Sequence, residues 1–173
     1  MLRLEDHIRE VPDFPKKGIR FKDIMPLLAH PEAFRTAIER LAATVERPQA
    51  VVGIESRGFL FGAPLALHWN VPFVPARKFG KLPGRTVRQV YSLEYGEDTL
   101  ELHADALQPG CRTVVVDDLL ATGGTALATA QLVRKLNADV VAALFVIELT
   151  GLGGRDKLAP LPVHALMSMA ADE

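Results

Sequence analysis

Five short apolar runs constrain this chain more than any other feature. They are AVVGI (50–54), VPFVPA (71–76), TVVVDD (113–118), VVAALFVIEL (140–149) and VHALMSM (163–169). A strand with one wet face alternates apolar and polar residues, whereas a strand covered on both faces need not. Unbroken runs of this length, separated by helical stretches, predict parallel strands with helices on both sides. In EAFRTAIERLAATVE (32–46), Phe34, Ile38, Leu41 and Val45 fall on one helical face; Pro31 suits its first turn and Pro48 closes it. A second helix, GFLFGAPLALHW, follows the first run. A third, TALATAQLVRKLN (125–137), ends with Arg134, Lys135 and Asn137, suited to a helix C-terminus. The expected fold class is α/β, an open, mostly parallel twisted sheet flanked by helices.

One segment breaks the rhythm. VYSLEYGEDTLEL (90–102) alternates apolar and polar residues on both sides of Gly96, Glu97 and Asp98, which predicts a half-exposed hairpin. RKFGKLPGRTVR (77–88) precedes it, basic and with little to bury, and reads as a mobile loop of the kind that carries function. Residues 11–31, rich in Pro, Lys and Gly, read as loop or short extended pieces.

Bulk properties narrow the function. The chain has 173 residues and a formal net charge of −1, so no global basic field recruits nucleic acid or an anionic membrane. Phosphate binding, if present, must be local. The single cysteine, Cys111, fits a reducing cytosol. The N-terminus has no apolar leader core, and no run is long enough to span a bilayer. The five histidines show no metal-ligand spacing.

The chemistry concentrates in VVVDDLLATGGT (114–125). Ligands of open α/β sheets bind at the carboxyl ends of strands, where Asp117 and Asp118 are expected. Ala121, Thr122, Gly123, Gly124 and Thr125 then turn into a helix, whose first N–H groups and positive dipole end suit a phosphate monoester. The Walker lysine is missing and the spacing fails G-x-G-x-x-G, which argues against an ATPase or dinucleotide loop. A phosphate beside two carboxylates needs hydroxyls or magnesium between them, and a sugar phosphate supplies the hydroxyls. One such Asp would read as a strand end and cap; two before ATGGT do not.

This stretch resembles the phosphoribosyl-pyrophosphate signature of type I phosphoribosyltransferases, in the form carried by the adenine-specific members. PDFPKKGIRFKDI (12–24), VVGIESRGFLFGAPLA (51–66), RKFGKLPG (77–84), YSLEYG (91–96) and ELTGLGGRDKLAP (148–160) resemble the same family, in the same order. The resemblance implies the type I phosphoribosyltransferase fold, with residues 1–31 as a base-recognising hood and 32–173 as the core carrying a flexible hairpin loop at 77–103. It implies transfer of phosphoribose from 5-phosphoribosyl-1-pyrophosphate to adenine, giving AMP and pyrophosphate through an oxocarbenium-like transition state. Magnesium would come with the pyrophosphate, near Asp117 and Asp118, without direct side-chain ligation. A cytoplasmic homodimer is implied, with no nucleic-acid or membrane partner.

The same resemblance distributes roles. Residues 121–125 would cradle the 5′-phosphate, and Asp117 and Asp118 would hold the ribose hydroxyls beside the developing positive charge. Ser56, Arg57, Arg77, Lys78 and Lys81 would bind pyrophosphate, Arg57 through its guanidinium fork. Each of Arg77, Lys78 and Lys81 reads as readily as a solvated loop charge, and the resemblance leaves open which subunit supplies them. Glu94, with Tyr95 in the same loop, would fold over the base and exchange its proton or orient it; a solvent-facing strand residue is the plainer reading of Glu94. The catalytic set is thus Glu94, Asp117, Asp118 and Arg57. The 6-oxopurine members carry a third acid where Ala121 stands, so its absence favours adenine. Phe21 and Leu149 would sandwich the purine while backbone at Arg20 and Lys22 reads its edge; core packing explains Phe21 and Leu149 equally well. The chain departs from the family pattern at Arg20, Lys22 and Met25. Other readings are a regulator that retains the site as a sensor, and a transferase for xanthine or orotate.

Overall fold

The computed structural model describes residues 2–93 and 96–171. After a short 3-10 turn come two short antiparallel strands, β1 (Arg9–Pro12) and β2 (Arg20–Asp23), which pair only with each other. Two helices follow, α1 (Met25–Ala29) and α2 (Pro31–Ala42). The main sheet then builds from β3 (Ala50–Ile54), α3 (Arg57–Trp69), β4 (Phe73–Lys78), β5 (Thr86–Leu93), β6 (Gly96–His103), β7 (Arg112–Leu120), α4 (Gly124–Lys135), β8 (Asp139–Thr150), α5 (Gly154–Leu158) and β9 (Val163–Ala170).

Its seven strands lie in the order β5-β6-β4-β3-β7-β8-β9. Strands β4, β3, β7, β8 and β9 pair in parallel, whereas β6 pairs antiparallel with both β4 and β5. The unbroken apolar runs have the expected cause. Val51, Val114, Val116 and Leu144 pack under α2 and α3 with Ala37, Leu41, Phe61 and Leu65. Their neighbours Val52, Val115 and Ala143 face the other way, against Ala126, Ala130, Leu132 and Val133 of α4. Both faces are buried, so neither has room for a polar alternate.

Boundaries differ from the expectation where polar residues find partners. Helix α2 stops at Ala42, four residues early, and its buried face is Ala33, Ala37, Ile38 and Leu41, with Phe34 and Val45 half-buried. Strand β7 runs past the two acids to Leu120, because Leu119 and Leu120 keep pairing with Ile147 and Glu148 of β8. The hairpin begins at Thr86 rather than Val90, and Leu93 pairs with Gly96, so Gly96, Glu97 and Asp98 belong to β6 rather than to the turn. The basic stretch is correspondingly short: Arg77 and Lys78 end β4, and only 79–85 connects the strands. The β6 strand joins the sheet through two pairs, Arg77 with Glu101 and Lys78 with Leu100, which sets the hairpin at the carboxyl end of β4.

Helix α3 approaches the sheet closely at two glycines. A Cβ on Gly58 would stand 2.7 Å from the Val116 carbonyl, and one on Gly62 2.9 Å from the Phe73 ring. The Val116 carbonyl belongs to the strand backbone and cannot move aside. Gly58→Ala is therefore expected to cost about 1–3 kcal/mol through overpacking, read as a lowered Tm in thermal melts; an unchanged Tm would mean that α3 lifts off β7 without penalty.

Candidate active site

Strand order reverses between β3 and β7: the chain leaves β3 toward β4 on one side and β7 toward β8 and β9 on the other. Such a point opens a crevice at the carboxyl ends of the two strands. What lies there follows from the register, in which Gly53 pairs with Val116. One residue further along β7 come the two acids, and just past Ile54 come Glu55, Ser56 and Arg57, with a cis peptide between Glu55 and Ser56.

Asp118 follows Val114 and Val116 onto the face that α3 covers. Its side chain is 4% exposed, and Oδ2 lies 3.1 Å from Arg57 Nε. The pair is ionic without hydrogen-bond alignment, so Asp118 Oδ2 remains buried with no hydrogen-bond partner. The guanidinium of Arg57 also rests over the Phe21 ring, 5.3 Å from its centroid. Arg57 thus links the acid pair to the β1–β2 ribbon. Asp117 accepts the Asp118 N–H at 2.9 Å. Burial first, and the charge of Asp118 second, push its carboxyl well above the usual carboxylate range, against the pull of that N–H and of Arg57.

Beside Asp117 is a recess of about 100 Å³ lined by Ala121, Thr122, Gly123, Gly124, Thr125, Ala126, Leu120 and Phe145. Its floor is shaped by Gly123, at φ 82°, which caps α4. A Cβ there would stand 2.8 Å from the Gly154 carbonyl, and a Cβ on Gly154 would overlap the Ala121 carbonyl. The turn is therefore moulded on the backbone at the start of α5. From the other side, the Ser92 carbonyl of β5 comes within 3.8 Å of where a Gly124 Cβ would be. The Tyr91 hydroxyl meets Thr125 and donates to Asp98 Oδ2 at 3.3 Å. The hairpin thus leans over the recess. Glu94 and Tyr95, the residues singled out in its loop, lie outside the described residues.

The basic residues do not stand free. Arg77 and Lys81 are drawn onto Glu55, whereas the Lys78 ammonium turns away to Asp98 at 2.8 Å. A second buried carboxylate, Glu101, accepts from Gly80 N–H (3.0 Å), Thr86 Oγ1 (3.0 Å) and Arg88 Nε (2.8 Å). The stretch expected to bury little is thus fastened by two buried acids. Ser56 is exposed beside Arg57.

Strand alternation in β2 separates Phe21 from Arg20 and Lys22. Arg20, Lys22 and Leu149 line a recess of about 400 Å³ with Ile19 and Leu152, whereas Phe21 turns toward Arg57. Lys22 is buried and its ammonium is tied to Glu10, which also holds Arg20 at 2.9 Å. Sequence reasoning missed Glu55, Glu101 and Gly154. A signal existed for Glu55, an acid at the junction of an apolar run and a helix; Glu101 sat unremarked within the hairpin pattern, and Gly154 within a glycine-rich turn.

An acid pair and a small glycine-bordered recess at the switch point of an open α/β sheet define the phosphoribosyl transferase class, and the model of the phosphoribosyl transferase domain matches residues 26–159. Curated relatives are more specific. The adenine phosphoribosyltransferase of Synechococcus sp. is 58% identical over 168 residues, covering 95% of this chain and 96% of its own. The crystal structure of adenine phosphoribosyltransferase from Thermoanaerobacter pseudethanolicus superposes with a TM-score of 0.93 at 51% identity, covering 96% of this chain and all of that one. The Saccharomyces cerevisiae enzyme, solved with adenine and an imino-altritol bisphosphate, gives 0.89 at 41% identity, covering 94% of this chain and 96% of that one. The chain belongs to the adenine phosphoribosyltransferase family.

The raised Asp117 pKa makes a stability prediction. Above the ordinary carboxylate range the unfolded chain releases this proton while the folded chain holds it, so the group's contribution to stability is present at low pH and is lost as pH rises through the folded value. Asn at this position cannot ionise. Asp117→Asn is expected to raise Tm near about pH 8, by about 2–4 °C for each kcal/mol of penalty removed, and the gain should shrink toward about pH 4. A gain that grew on acidification would reverse the assignment.

Proposed function

We propose that this chain transfers the 5-phosphoribosyl group from 5-phosphoribosyl-1-pyrophosphate to adenine, forming AMP and pyrophosphate in purine salvage. The observation that carries the reading is the placement of Asp117, Asp118 and Arg57 together at the switch point, beside the recess of residues 121–125. In this reading the 5′-phosphate enters the recess, meeting the N–H groups that open α4. The ribose hydroxyls then donate to Asp117 and Asp118, giving the unpartnered Asp118 Oδ2 a hydrogen bond. As the bond from C1′ to pyrophosphate loosens, positive charge grows on the ribose, and fixed carboxylates in a dry crevice favour that charge more than they favour the ground state.

Arg57, Ser56, Arg77, Lys78 and Lys81 take the pyrophosphate in this reading. Arg57 is well placed for it, because a guanidinium that holds Asp118 through Nε keeps other donors available. Magnesium fits the same region. Among the described residues no three His, Cys, Asp or Glu side chains gather to hold an ion, and magnesium characteristically takes one or two carboxylates together with substrate phosphates. Here the pyrophosphate would carry the ion, near Asp117 and Asp118 but without direct side-chain ligation, and the ion would neutralise charge on that leaving group.

Adenine takes the face of Phe21 that Arg57 now covers, with Leu149, which lines the recess beside Arg20 and Lys22, as a second apolar contact. Backbone at Arg20 and Lys22 reads its edge. The tie between Lys22 and Glu10 supports reading by backbone, because the lysine charge is committed elsewhere; for the same reason an arginine is not required there. Glu94, two residues beyond Ser92, exchanges the purine proton or orients the ring. The hairpin excludes water that would otherwise hydrolyse the activated ribose. A cytoplasmic homodimer completes the reading; among the described residues no helix is long and apolar enough to cross a membrane.

The test is pyrophosphate release from 5-phosphoribosyl-1-pyrophosphate and magnesium with a panel of bases. Adenine is expected to be the preferred acceptor; equal turnover with hypoxanthine or xanthine would refute the assignment. Asp118→Asn and Glu94→Ala are each expected to lower kcat by about 10²–10³-fold, as for other groups aimed at developing charge, with unchanged circular dichroism. Wild-type turnover in Glu94→Ala would remove that residue from the chemistry.

A further inference from the structure

Glu55 is the first residue past β3, and its side chain is 6% exposed. Oε2 accepts the Lys78 N–H at 2.6 Å, and Oε1 accepts from the Lys81 ammonium at 2.5 Å. Arg77 Nε lies 3.5 Å from Oε2. That nitrogen is buried and makes no hydrogen bond, while about a third of the Arg77 side chain stays in solvent. The guanidinium therefore turns its Nε edge inward to Glu55, while Nη1 donates to the Lys81 carbonyl at 3.5 Å. Burial alone would push the Glu55 carboxyl up; Lys81, the Lys78 N–H and Arg77 together outweigh it and hold the carboxyl below its usual range, so it stays charged at neutral pH.

The loop does not need Glu55 merely to stay shut. Glu101 already fastens it through Gly80, Thr86 and Arg88. Glu55 instead takes Arg77 and Lys81, from the position just before Ser56 and Arg57. Both have donors to spare: an ammonium has three N–H groups and a guanidinium five. Long cationic side chains lose rotamer freedom when a ligand fixes them, which weakens binding unless they are fixed beforehand.

We propose that Glu55 is a positioning residue: it gathers Arg77 and Lys81 into a preassembled cation pair at the pyrophosphate end of the site, holding Lys81 by a hydrogen bond and Arg77 by charge, and leaving further donors of both for phosphate oxygens. The inference rests on the reading that Arg77 and Lys81 serve pyrophosphate. Glu55 touches no substrate and acts only through these two side chains.

The test compares Glu55→Gln, Glu55→Asp, Lys81→Met and the Glu55→Gln/Lys81→Met double variant in steady-state kinetics. Glutamine keeps the shape and the acceptor for Lys78 N–H but removes the charge. It is expected to raise KM for 5-phosphoribosyl-1-pyrophosphate about tenfold, the scale of a lost charge-assisted hydrogen bond, with KM for adenine unchanged and kcat within about threefold. Aspartate, which keeps the charge, should restore most of the affinity. Because Glu55 acts partly through Lys81, the double variant should fall short of the product of the single effects. A product of the two effects, or a Glu55→Gln enzyme with unchanged KM, would overturn the proposal. If Lys81→Met and Arg77→Met both leave that KM unchanged, the pyrophosphate reading itself fails. The wild-type chain gives a check that needs no Glu55 variant. In nitrogen-15 spectra the Arg77 Nε–H signal should stay slow to exchange both without ligand and with magnesium pyrophosphate; loss of its protection on adding pyrophosphate would mean that Glu55 is displaced rather than shared.

Discussion

The parallel pairing of β3 with β7 is the constraint on which the rest depends. Four registered pairs, Ala50 with Thr113 through Gly53 with Val116, join two halves of a sheet that the chain builds separately. β3 ends at Ile54, level with the acids, while β7 runs on to Leu120, so Glu55, Ser56 and Arg57 emerge beside Asp117 and Asp118, about sixty residues away in sequence. The pairing also fixes how low α3 can sit, since Gly58 rests on the β7 backbone. A one-residue slip would turn every side chain of β7 to the opposite face and carry Asp118 away from Arg57.

Electrostatically the crevice is closed on itself. A chain of net charge −1 still concentrates cations here, and acids answer several of them: Asp118 for Arg57, Glu55 for Arg77 and Lys81, Asp98 for Lys78, Glu10 for Lys22. Local neutrality allows polar groups to be packed this tightly without unfolding the edge of the sheet. It also means that an incoming anion exchanges partners rather than meeting bare charge, so specificity depends on which donors remain unused.

Much of the fold was legible in the sequence because burial on both faces leaves a mark in composition: five apolar runs, and five parallel strands. The acid pair, Arg57 and the ATGGT turn were legible for a related reason, since charged and glycine residues at the ends of such runs have little structural purpose. Strand ends were less legible. Leu119 and Leu120 continue β7 through backbone pairing, and pairing is indifferent to the carboxylates just before them. Thr86 and Arg88 look like loop residues because nothing local shows that Glu101, thirteen to fifteen residues on, will satisfy them. Glu55 was hidden in the same way, its partners lying twenty-two to twenty-six residues away. The grouping of Arg20, Phe21 and Lys22 hid the alternation that sends Phe21 to one side and its neighbours to the other.

The contact between Gly123 and Gly154 has a consequence for how such a cradle can vary. Its outline is cast by main chain against main chain, with Ala121 and Gly154 nearly touching through their carbonyl and α-carbon. Thr122 is exposed at the rim. Side chains at the rim can therefore drift, or be redesigned, while the hollow keeps its size. The dimensions are stored as two missing methyl groups on segments thirty-one residues apart, and neither can be restored alone without reshaping the hollow.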